Sequence, residues 1–286
     1  MSKNVLVTGG SGFIGSHVVD TLVKKKCNVT VIDLNSPKRK DVKFIKGSIL
    51  NKSLIESSLK NIDYIFHLAA VSDINKVQKI PTKTIETNIL GTTYLLEASR
   101  KAKIKRFIFA GSYYSYGDTG NLYTTSKTAS ELVIRNYNLL YKQKFTILRY
   151  STAYGPRNRE VDALSIFVDR AMKNLDLVIH GDGKQKRDYI YVKDLAEGSM
   201  IGLEKMAENK TFTLTSNKRI KIYDLAKMIL KLTNSKSKIV LNKNKKRFDD
   251  FSSNHSYDNN EKIPKKWSPK YDIKSGLKEY IIEKYH

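Results

Sequence analysis

The sequence predicts a doubly wound α/β fold, in which helices cover both faces of a parallel sheet, followed by a smaller α+β lobe. Two observations lead to this prediction. Through the first half of the 286-residue chain, short apolar runs rich in β-branched residues alternate with longer helical stretches, which is the rhythm of βαβ units. After Arg149 that rhythm becomes irregular, as is typical of a mixed lobe.

The first half supplies the strands and long helices of the predicted sheet. Apolar runs predict strands at residues 4–8, 28–33, 42–45, 62–67, 106–110 and 145–148. Helices are predicted at residues 12–26, 82–103 and 123–142, and Pro81 suits the opening of the second of them. These elements define a first domain at residues 1–152.

The second half, residues 153–286, is predicted to form the smaller lobe, with a segment near 188–206 packing back on the first domain. Helical patterns lie at residues 163–174, 193–208, 222–233 and 273–284, and a strand pattern lies at 177–180. The stretch 242–263 is polar and rich in lysine, so we expect an exposed loop over the junction of the lobes.

The composition excludes three classes of protein. With 40% hydrophobic residues, the chain is too apolar to be a disordered tail. No apolar run reaches the ~18 residues of a membrane span, and the single cysteine, Cys27, excludes a disulfide-built secreted domain. The first residues enter a strand pattern without the layout of a signal peptide, so we expect a cytoplasmic protein.

The formal net charge of +24 comes mostly from lysine, because the chain has 41 Lys and 11 Arg. The lysines are scattered, with one denser cluster at residues 243–247. Scattered lysine is typical of a solvated surface, so we expect no nucleic-acid partner, although the positive field favours an anionic substrate. His180 and His255 have no partners at ligand spacing, and no metal site is expected.

A glycine-rich turn separates the first strand from the first helix. It reads Gly9, Gly10, Ser11, Gly12, Phe13, Ile14 and Gly15. Glycine is needed for the tight turn and for close approach of the backbone to a pyrophosphate, which the helix N-terminus then binds. Asp33 ends the second strand, where an acid can accept ribose hydroxyls and repel a 2′-phosphate. We therefore predict NAD rather than NADP, and interpret Lys38 and Arg39 as a solvated pair.

A second constellation consists of Ser112, Tyr123 and Lys127. The tyrosine and lysine are four residues apart on one predicted helix and share a face, and the serine ends the preceding strand. A nearby ammonium is expected to lower the tyrosine pKa from about 10 toward neutrality. Such a tyrosine can take the proton of a sugar hydroxyl while hydride leaves the same carbon, and the serine can orient the sugar oxygen. His67, at the end of a buried strand, is interpreted as packed rather than as a base.

Several shorter motifs complete the pattern. They are His67-Leu68-Ala69-Ala70, Asn88 with Gly91-Thr92, Leu148-Arg149-Tyr150, Tyr154-Gly155-Pro156-Arg157, and the segment 181–194. With these motifs the chain resembles the extended short-chain dehydrogenase/reductase family, specifically its nucleotide-sugar epimerase/dehydratase group. The resemblance implies a Rossmann-type domain, bound NAD, a nucleotide-diphosphate sugar as substrate, and a homodimer formed through helices 82–103 and 123–142.

The resemblance also implies roles for individual residues, with Ser112, Tyr123 and Lys127 as the catalytic group. The residues implied to contact NAD are Gly9, Gly12, Phe13, Ile14, Gly15, Asp33, Ser48, Ile49, Leu68, Ala69, Ala70, Asn88, Tyr123, Lys127 and Tyr150. Those implied to contact the substrate are Ser72, Tyr113, Tyr114, Thr152, Arg187, Arg247 and Asp250. The two arginines would bind the diphosphate, for which a bidentate guanidinium is well suited.

The sequence departs from the family pattern in the segment after Ser112, which is expected to border the sugar pocket. Tyr113 and Tyr114 follow Ser112 where small residues are usual, and the carboxylates of 4,6-dehydratases do not occur there. Dehydration is therefore not expected. The link from Gly117 to Tyr123 is shorter than is customary, which opens the sugar pocket that the two tyrosines can refill.

The leading hypothesis is an NAD-dependent epimerase acting at C4 of a nucleotide hexose through a transient 4-keto sugar. A dehydrogenase, 4-ketoreductase or decarboxylase of the same family is the alternative. A non-catalytic dinucleotide-binding regulator is a hypothesis of a different class. The presence of Ser112, Tyr123 and Lys127 argues against a regulator, which has no need of them.

Overall fold

The computed structural model describes residues 2–113, 121–158, 162–242, 264 and 267–285. Its strands are β1 (Asn4–Thr8), β2 (Asn28–Asp33), β3 (Lys43–Lys46), β4 (Tyr64–His67), β5 (Arg106–Ser112), β6 (Phe145–Tyr150), β7 (Thr152–Tyr154), β8 (Leu177–His180), β9 (Lys186–Tyr191), β10 (Lys210–Leu214), β11 (Arg219–Lys221) and β12 (Ile239–Asn242). Its helices are α1 (Phe13–Lys24), α2 (Lys52–Ser58), α3 (Ile74–Lys79), α4 (Pro81–Ile85), α5 (Gly91–Lys101), α6 (Leu122–Tyr141), α7 (Ala163–Met172), α8 (Val192–Ser199), α9 (Ile222–Thr233) and α10 (Ile273–Tyr285). Within these described ranges, no helix is both long and apolar enough to cross a membrane.

The central sheet has seven parallel strands in the order β3-β2-β1-β4-β5-β6-β10. The prediction of a doubly wound parallel sheet is confirmed. The strand order reverses between β1 and β4, so the connections that leave these strands diverge. They open a crevice at the carboxyl ends of the strands, which is where ligands bind in such sheets.

The seventh strand, β10, was not predicted. It comes from the second half of the chain and pairs with β6 from Lys210 opposite Thr146 to Leu214 opposite Tyr150. Its Phe212 side chain is buried in the core. Because β10 is a short edge strand that follows irregular turns, it lacks the regular alternation with helices that revealed the other strands.

Two predicted helices are interrupted in the structure. Helix 82–103 is divided into α4 and α5 by a π-helical segment, Glu86–Leu90. Helix 193–208 ends at Ser199 and continues as short 3-10 turns. In these turns Gly202 packs against β5 so closely that a Cβ there would lie 2.8 Å from Ile108 Cγ2. Close packing on the sheet therefore replaces the last turns of the predicted helix.

Hydrophobic cores lie on both faces of the sheet and in the C-terminal lobe. On one face α1 and α8 pack together through buried side chains such as Val18 and Leu195. On the other face α2, α5 and α6 contribute Ile55, Leu95 and Ile134. The lobe has its own core between α7, α9 and α10, beside small sheets of β11-β9-β7 and β12-β8. The domain boundary at residue 152 stays a prediction.

Candidate active site

The glycine-rich turn joins β1 to α1 at the crevice. Gly9 has a positive φ of 73°, and a Cβ there would lie 2.6 Å from the backbone nitrogen of Ala69. A Cβ at Gly15 would lie 2.0 Å from the Gly9 oxygen. Gly12 is the N-cap of α1 and makes no side-chain cap, so the N–H groups of Phe13 and Ile14 begin the helix uncovered by a capping side chain. The turn is therefore suited to bind an anion through backbone N–H groups.

Asp33 ends β2, as predicted, and the backbone fixes its carboxylate. Its Oδ2 accepts a hydrogen bond from the Ser11 N–H at 3.0 Å, and its Oδ1 accepts one from the Asn35 N–H at 3.1 Å. The first bond ties the carboxylate to the glycine-rich turn itself. Asp33 therefore lies beside the predicted phosphate site, which is the position that a ribose-binding acid requires.

Arg39, the residue that could have favoured a 2′-phosphate, is engaged elsewhere. Its guanidinium pairs with Asp41 and, at 3.2 Å, with Asp20 of α1. Arg157 also pairs with Asp20, at 2.7 Å, and joins Arg39 in lining a cavity of about 280 Å³ next to the turn. Arg39, interpreted from the sequence as one of a solvated pair with Lys38, is about one third exposed and belongs to a surface ion-pair network with Asp20 of α1.

The walls of the crevice come from the loops after β3 and β4. Ile49 is buried against Gly91 of α5, where a Cβ would lie 2.7 Å from Ile49 Cδ1, and the Ser48 hydroxyl accepts the Leu50 N–H at 3.2 Å. After β4, the partly exposed residues Leu68, Ala69 and Ala70 lead to the exposed Ser72. Their contacts with a cofactor or sugar stay predictions.

Asn88 lies in the π-helical segment and is buried. Its Oδ1 accepts the Val71 N–H at 2.8 Å, and its Nδ2 donates to the Val71 carbonyl at 3.1 Å and to Ser126 Oγ at 2.9 Å. The amide thus joins the loop after β4 to the helix that carries Tyr123. The implied contact of Asn88 with NAD stays a prediction, and the contacts present in the structure make it a residue that positions the crevice wall.

His67 is the centre of a buried chain of hydrogen bonds. Its Nδ1 is 2.7 Å from Thr8 Oγ1 and its Nε2 is 2.8 Å from Thr92 Oγ1. The Thr92 hydroxyl donates to the Asn88 carbonyl at 2.6 Å, so Thr92 Oγ1 must accept from His67 Nε2–H. The Thr8 hydroxyl then donates to Nδ1, and the neutral imidazole is fully bonded. Burial, together with the positive charge of Lys127, lowers the pKa of His67 to about 3.

Acid should therefore weaken the fold through His67. The folded-state pKa is depressed below the ordinary value of 6.5, so His67 favours folding fully above pH 6.5 and progressively less as the pH falls toward 3. Between pH 7 and about pH 5 we expect the free energy of unfolding to fall by about 2 kcal/mol more than in a His67→Gln variant. Urea unfolding at the two pH values measures this difference. Parallel curves for the two proteins would contradict it, and imidazole titration by NMR tests the same pKa directly.

Ser112 ends β5, and Tyr123 and Lys127 lie at the start of α6, which packs on that strand. Ser112 is the last residue of the strand and is buried. Asn121 caps α6, so Tyr123 lies in its first turn and Lys127 one turn later. The buried Lys127 ammonium donates to the Ala110 carbonyl of β5 at 2.7 Å and lies 5.9 Å from the centre of the Tyr123 ring. The structure thus brings Tyr123 and Lys127 together beside β5, and the catalytic role of the three residues stays a prediction.

The expected lowering of the Tyr123 pKa is wrong for the structure described here. Desolvation instead raises the pKa of Tyr123 to about 12. The Lys127 ammonium is directed to the Ala110 carbonyl, and burial lowers the pKa of Lys127 to about 8. Any fall of the tyrosine pKa toward neutrality therefore requires a positive charge in addition to Lys127.

Sequence analysis gave no role to two charged residues beside this site. Glu131 and Arg149 form a buried ion pair, with Arg149 Nη2 2.7 Å from Glu131 Oε2. A signal was available in the spacing, because Glu131 follows Lys127 by four residues as Lys127 follows Tyr123. The face of α6 that carries the catalytic group therefore also carries a carboxylate.

The predicted substrate residues that the structure describes lie on several different elements of the fold. Tyr113, directly after Ser112, is buried, and its hydroxyl accepts a hydrogen bond from Arg219 of β11 at 2.7 Å. Thr152 begins β7, and the partly exposed Arg187 lies on β9. The Tyr150 hydroxyl donates to Ser199 Oγ at 2.8 Å, so it ties β6 to α8. Tyr114, Arg247 and Asp250 lie outside the described residues.

Comparison with known proteins identifies the family. Residues 5–215 match the family model described as the NAD dependent epimerase/dehydratase family. The chain belongs to this family. It is 33% identical to UDP-N-acetyl-alpha-D-glucosaminuronate decarboxylase from Bacillus cytotoxicus, over 84% of this chain and 83% of the relative.

Solved structures of the same family have the same fold. UDP-glucose 4-epimerase from Thermotoga maritima, solved with UDP-glucose, superposes with a TM-score of 0.88 and 30% identity, over 98% of this chain and 97% of that one. UDP-N-acetylglucosamine 4-epimerase from Methanobrevibacter ruminantium superposes with a TM-score of 0.87 and 28% identity, over 98% and 97%. The chain is therefore an enzyme of the NAD-dependent epimerase/dehydratase family.

The crevice of this family member fits NAD. The glycine turn leaves backbone N–H groups at the start of α1, and the space that a Cβ would fill at Gly9 and Gly15 is closed, so the turn is compact. Asp33, fixed beside that turn, suits an unphosphorylated ribose. Lys127 and Tyr123 reach the same edge of the sheet from α6. Residues for the phosphates, the ribose and the redox end of the cofactor are thus all present.

Proposed function

We propose that this enzyme is a C4 epimerase of a nucleotide-diphosphate hexose. The observation that carries the proposal is the packing of α6, with Tyr123 and Lys127, on β5, which ends in Ser112. The phosphate-binding turn after β1 opens at the same edge of the sheet. Sugar chemistry and dinucleotide binding can thus share one crevice, as oxidation at a sugar carbon requires.

In the proposed reaction, Tyr123 accepts the proton of the sugar 4-hydroxyl, and the Ser112 hydroxyl donates to the same oxygen and holds it in place. Two positive charges would stabilise the phenolate form of Tyr123 electrostatically: the Lys127 ammonium and the nicotinamide cation that bound NAD would add. Bound NAD would supply the acceptor and donor of the hydride, and the 4-keto sugar would turn over between the two transfers so that the hydride returns to its opposite face. Tyr123 then gives the proton back to the oxygen of the epimer, so both side chains end the turnover unchanged.

The nucleotide part of the substrate is proposed to lie between the sheet and the C-terminal lobe. Arg187 on β9 is the described residue proposed to bind the diphosphate, and Tyr113 and Thr152 are proposed to border the sugar. The roles of Ser72, Tyr114, Arg247 and Asp250 stay predictions. Similarity to the two solved 4-epimerases supports a UDP-sugar as the first substrate to test.

Product analysis tests the proposal. The protein as purified, with no added cofactor, is mixed with a panel of nucleotide hexoses, and the absorbance of reduced cofactor is followed in the same tube. We expect a C4 epimer to form without net accumulation of NADH. Turnover that occurs only when NAD or NADH is supplied, with a stoichiometric absorbance change, would contradict the epimerase and favour a dehydrogenase or reductase.

Decarboxylation is the second candidate, because a relative of 33% identity is named a decarboxylase of a UDP-N-acetylglucosaminuronate. It is tested in the same panel by including nucleotide uronic acids. Release of carbon dioxide with formation of a nucleotide pentose would favour it, whereas C4 epimers of the uronic acids would favour the epimerase.

We also propose a homodimer formed through α5 and α6. In α6, Leu132 and Leu139 are seven residues apart, so they share a face, yet they are 58% and 67% exposed. We expect Leu139→Glu to convert the dimer to a monomer in light scattering, because the charge would be buried at the interface. Leu175→Glu, at an exposed leucine of the other lobe, is the control. A wild-type chain that is monomeric at all concentrations would refute the dimer.

A further inference from the structure

Behind the catalytic group lies an ion pair that the proposed reaction does not use. Glu131 is 3% exposed, and Arg149 of β6 is largely buried beside it. Arg149 Nε lies 3.0 and 3.1 Å from the two carboxylate oxygens, and Nη2 lies 2.7 Å from Oε2. A pair bonded through several atoms fixes the plane as well as the position of the carboxylate.

The ion pair supports the backbone that leads to Ser112. Gly111 of β5 lies opposite Arg149 of β6 in the sheet register. A Cβ at Gly111 would lie 2.8 Å from Glu131 Oε1 and 3.1 Å from Arg149 Cγ. The end of β5 therefore rests directly on the ion pair, and only glycine allows this close approach.

Glu131 also lies on the same face of α6 as Lys127. The two residues are one helical turn apart on α6, and the Lys127 ammonium bonds to Ala110, the residue before Gly111. Both side chains thus flank the same two residues of β5. The ammonium touches a carbonyl oxygen and the Phe109 ring, 4.6 Å from its centre, so it is held where solvent does not stabilise its charge.

The other titratable groups around Lys127 are positive or neutral. His67 of β4 is a neutral imidazole, and Tyr123 on the same helix and Tyr150 on β6 are phenols whose pKa values burial raises. Arg149 of β6 and Arg135, one turn beyond Glu131, are cations. Of the described residues, Glu131 is the one that brings negative charge to the Lys127 ammonium.

We propose that Glu131 is a positioning residue of the active site: aimed by Arg149, its carboxylate is the buried counter-charge that keeps Lys127 an ammonium and supports the end of β5 that carries Ser112. The proposal rests on the role proposed for Lys127, but the charge of Lys127 can be measured without turnover. Its physical basis is that a buried ammonium without a counter-charge loses its proton.

The ionisation of the two groups agrees with this arrangement. Burial lowers the pKa of Lys127 to about 8, and the negative charge of Glu131 acts against that fall. Burial raises the pKa of Glu131 to about 7, while the charges of Arg135 and Lys127 oppose the rise and the bonds from Arg149 favour the carboxylate. Glu131 is therefore mostly ionised in the pH range above 7 in which Lys127 titrates. Without Glu131, the lysine is expected to be neutral at pH values where the wild-type residue is charged.

The first experiment measures the titration of Lys127 by ¹³C NMR of Cε-labelled lysine in the cofactor-free chain, with Lys127→Met to assign its resonance. We expect Glu131→Gln to lower the Lys127 midpoint by about one pH unit or more. Glu131→Asp, which keeps the charge, should restore much of the wild-type value. Glu208→Gln is the matched control, because Glu208 also pairs with a buried arginine, Arg106, but at the opposite end of β5.

The second experiment follows sugar turnover against pH. If Lys127 must be charged, the alkaline limb of the rate profile should move to lower pH in Glu131→Gln by the same amount as the NMR midpoint. A purely structural role would lower the rate at every pH and leave the limb in place. A folded Glu131→Gln protein with an unshifted Lys127 titration would overturn the proposal.

Should Glu131→Gln not fold, Arg149→Lys tests the proposed aiming of the Glu131 carboxylate, because lysine keeps the positive charge but loses the bidentate geometry. A downward shift of the Lys127 midpoint supports the proposal, and an unchanged midpoint overturns it. The two proposals fail separately. If Glu131→Gln shifts the Lys127 midpoint but the wild-type protein epimerises no nucleotide sugar, Glu131 is supported as the counter-charge and the proposed epimerase is contradicted.

Discussion

Replacing Tyr123 with phenylalanine should lower the turnover number about 1,000-fold while leaving the fold and cofactor binding intact. The tyrosine lies in the first turn of α6 at the carboxyl end of the sheet, and its ring remains in contact range of Lys127 when the hydroxyl is removed. The lost group is the one that exchanges the proton of the sugar hydroxyl. Because the Lys127 ammonium is bonded to the Ala110 carbonyl and Ser112 is a weak base, the remaining rate should reflect binding and orientation alone.

The matched control is Tyr137→Phe on the same helix. Tyr137 packs against Tyr141, with ring centres 5.1 Å apart, and lies 14 residues beyond Tyr123, or about 20 Å along the helix. Its turnover should stay within about two-fold of wild type. The measurements are steady-state rates with the best nucleotide sugar, thermal unfolding, and NAD binding by calorimetry. A Tyr123→Phe protein that keeps more than about one tenth of the activity would exclude Tyr123 as the acid/base.

The sequence predicted the parts of the site that are local. The turn from Gly9 to Gly15 and the acid at Asp33 each lie within a few residues of a strand end, so strand prediction alone places them in the crevice. The spacing of Tyr123 and Lys127 is a property of one helix and survives folding unchanged. Ser112 was correctly placed at the end of β5, because strand prediction alone gives its position.

The parts that could not be predicted depend on contacts between distant segments. The direction of the Lys127 ammonium toward Ala110 follows from the packing of α6 on β5, and the high pKa of Tyr123 follows from its desolvation there. The hydrogen bonds of Asn88 depend on the π-helical segment Glu86–Leu90, which no sequence pattern predicts. The pairing of Glu131 with Arg149 needs the register of β6 against β5.

Replacing Gly15 with alanine should destabilise the fold and abolish NAD binding together. The added Cβ would lie 2.0 Å from the Gly9 oxygen and 2.9 Å from the Gly9 carbonyl carbon, so backbone rather than a flexible side chain must move. Overpacking of this kind costs about 3 kcal/mol, which we expect to lower the melting temperature by at least about 5 °C in a domain of this size. Any displacement of Gly9 also disturbs its hydrogen bond to Ile32, which holds the turn to β2.

Gly12→Ala separates the loss of NAD binding from the loss of fold stability. Gly12 has an extended backbone conformation, φ −74° and ψ 178°, that alanine also adopts, and its Cβ would lie 3.2 Å from a single atom, the Gly9 oxygen. We expect the melting temperature to change by less than about 2 °C, whereas NAD affinity should fall because the methyl group stands at the helix N-terminus where a phosphate must approach. Calorimetric titration with NAD and thermal unfolding of both variants measure this contrast. If Gly15→Ala melts and binds NAD like wild type, the contact between Gly15 and Gly9 does not shape the phosphate site; if Gly12→Ala binds NAD at full affinity, the phosphate does not approach the first turn of α1.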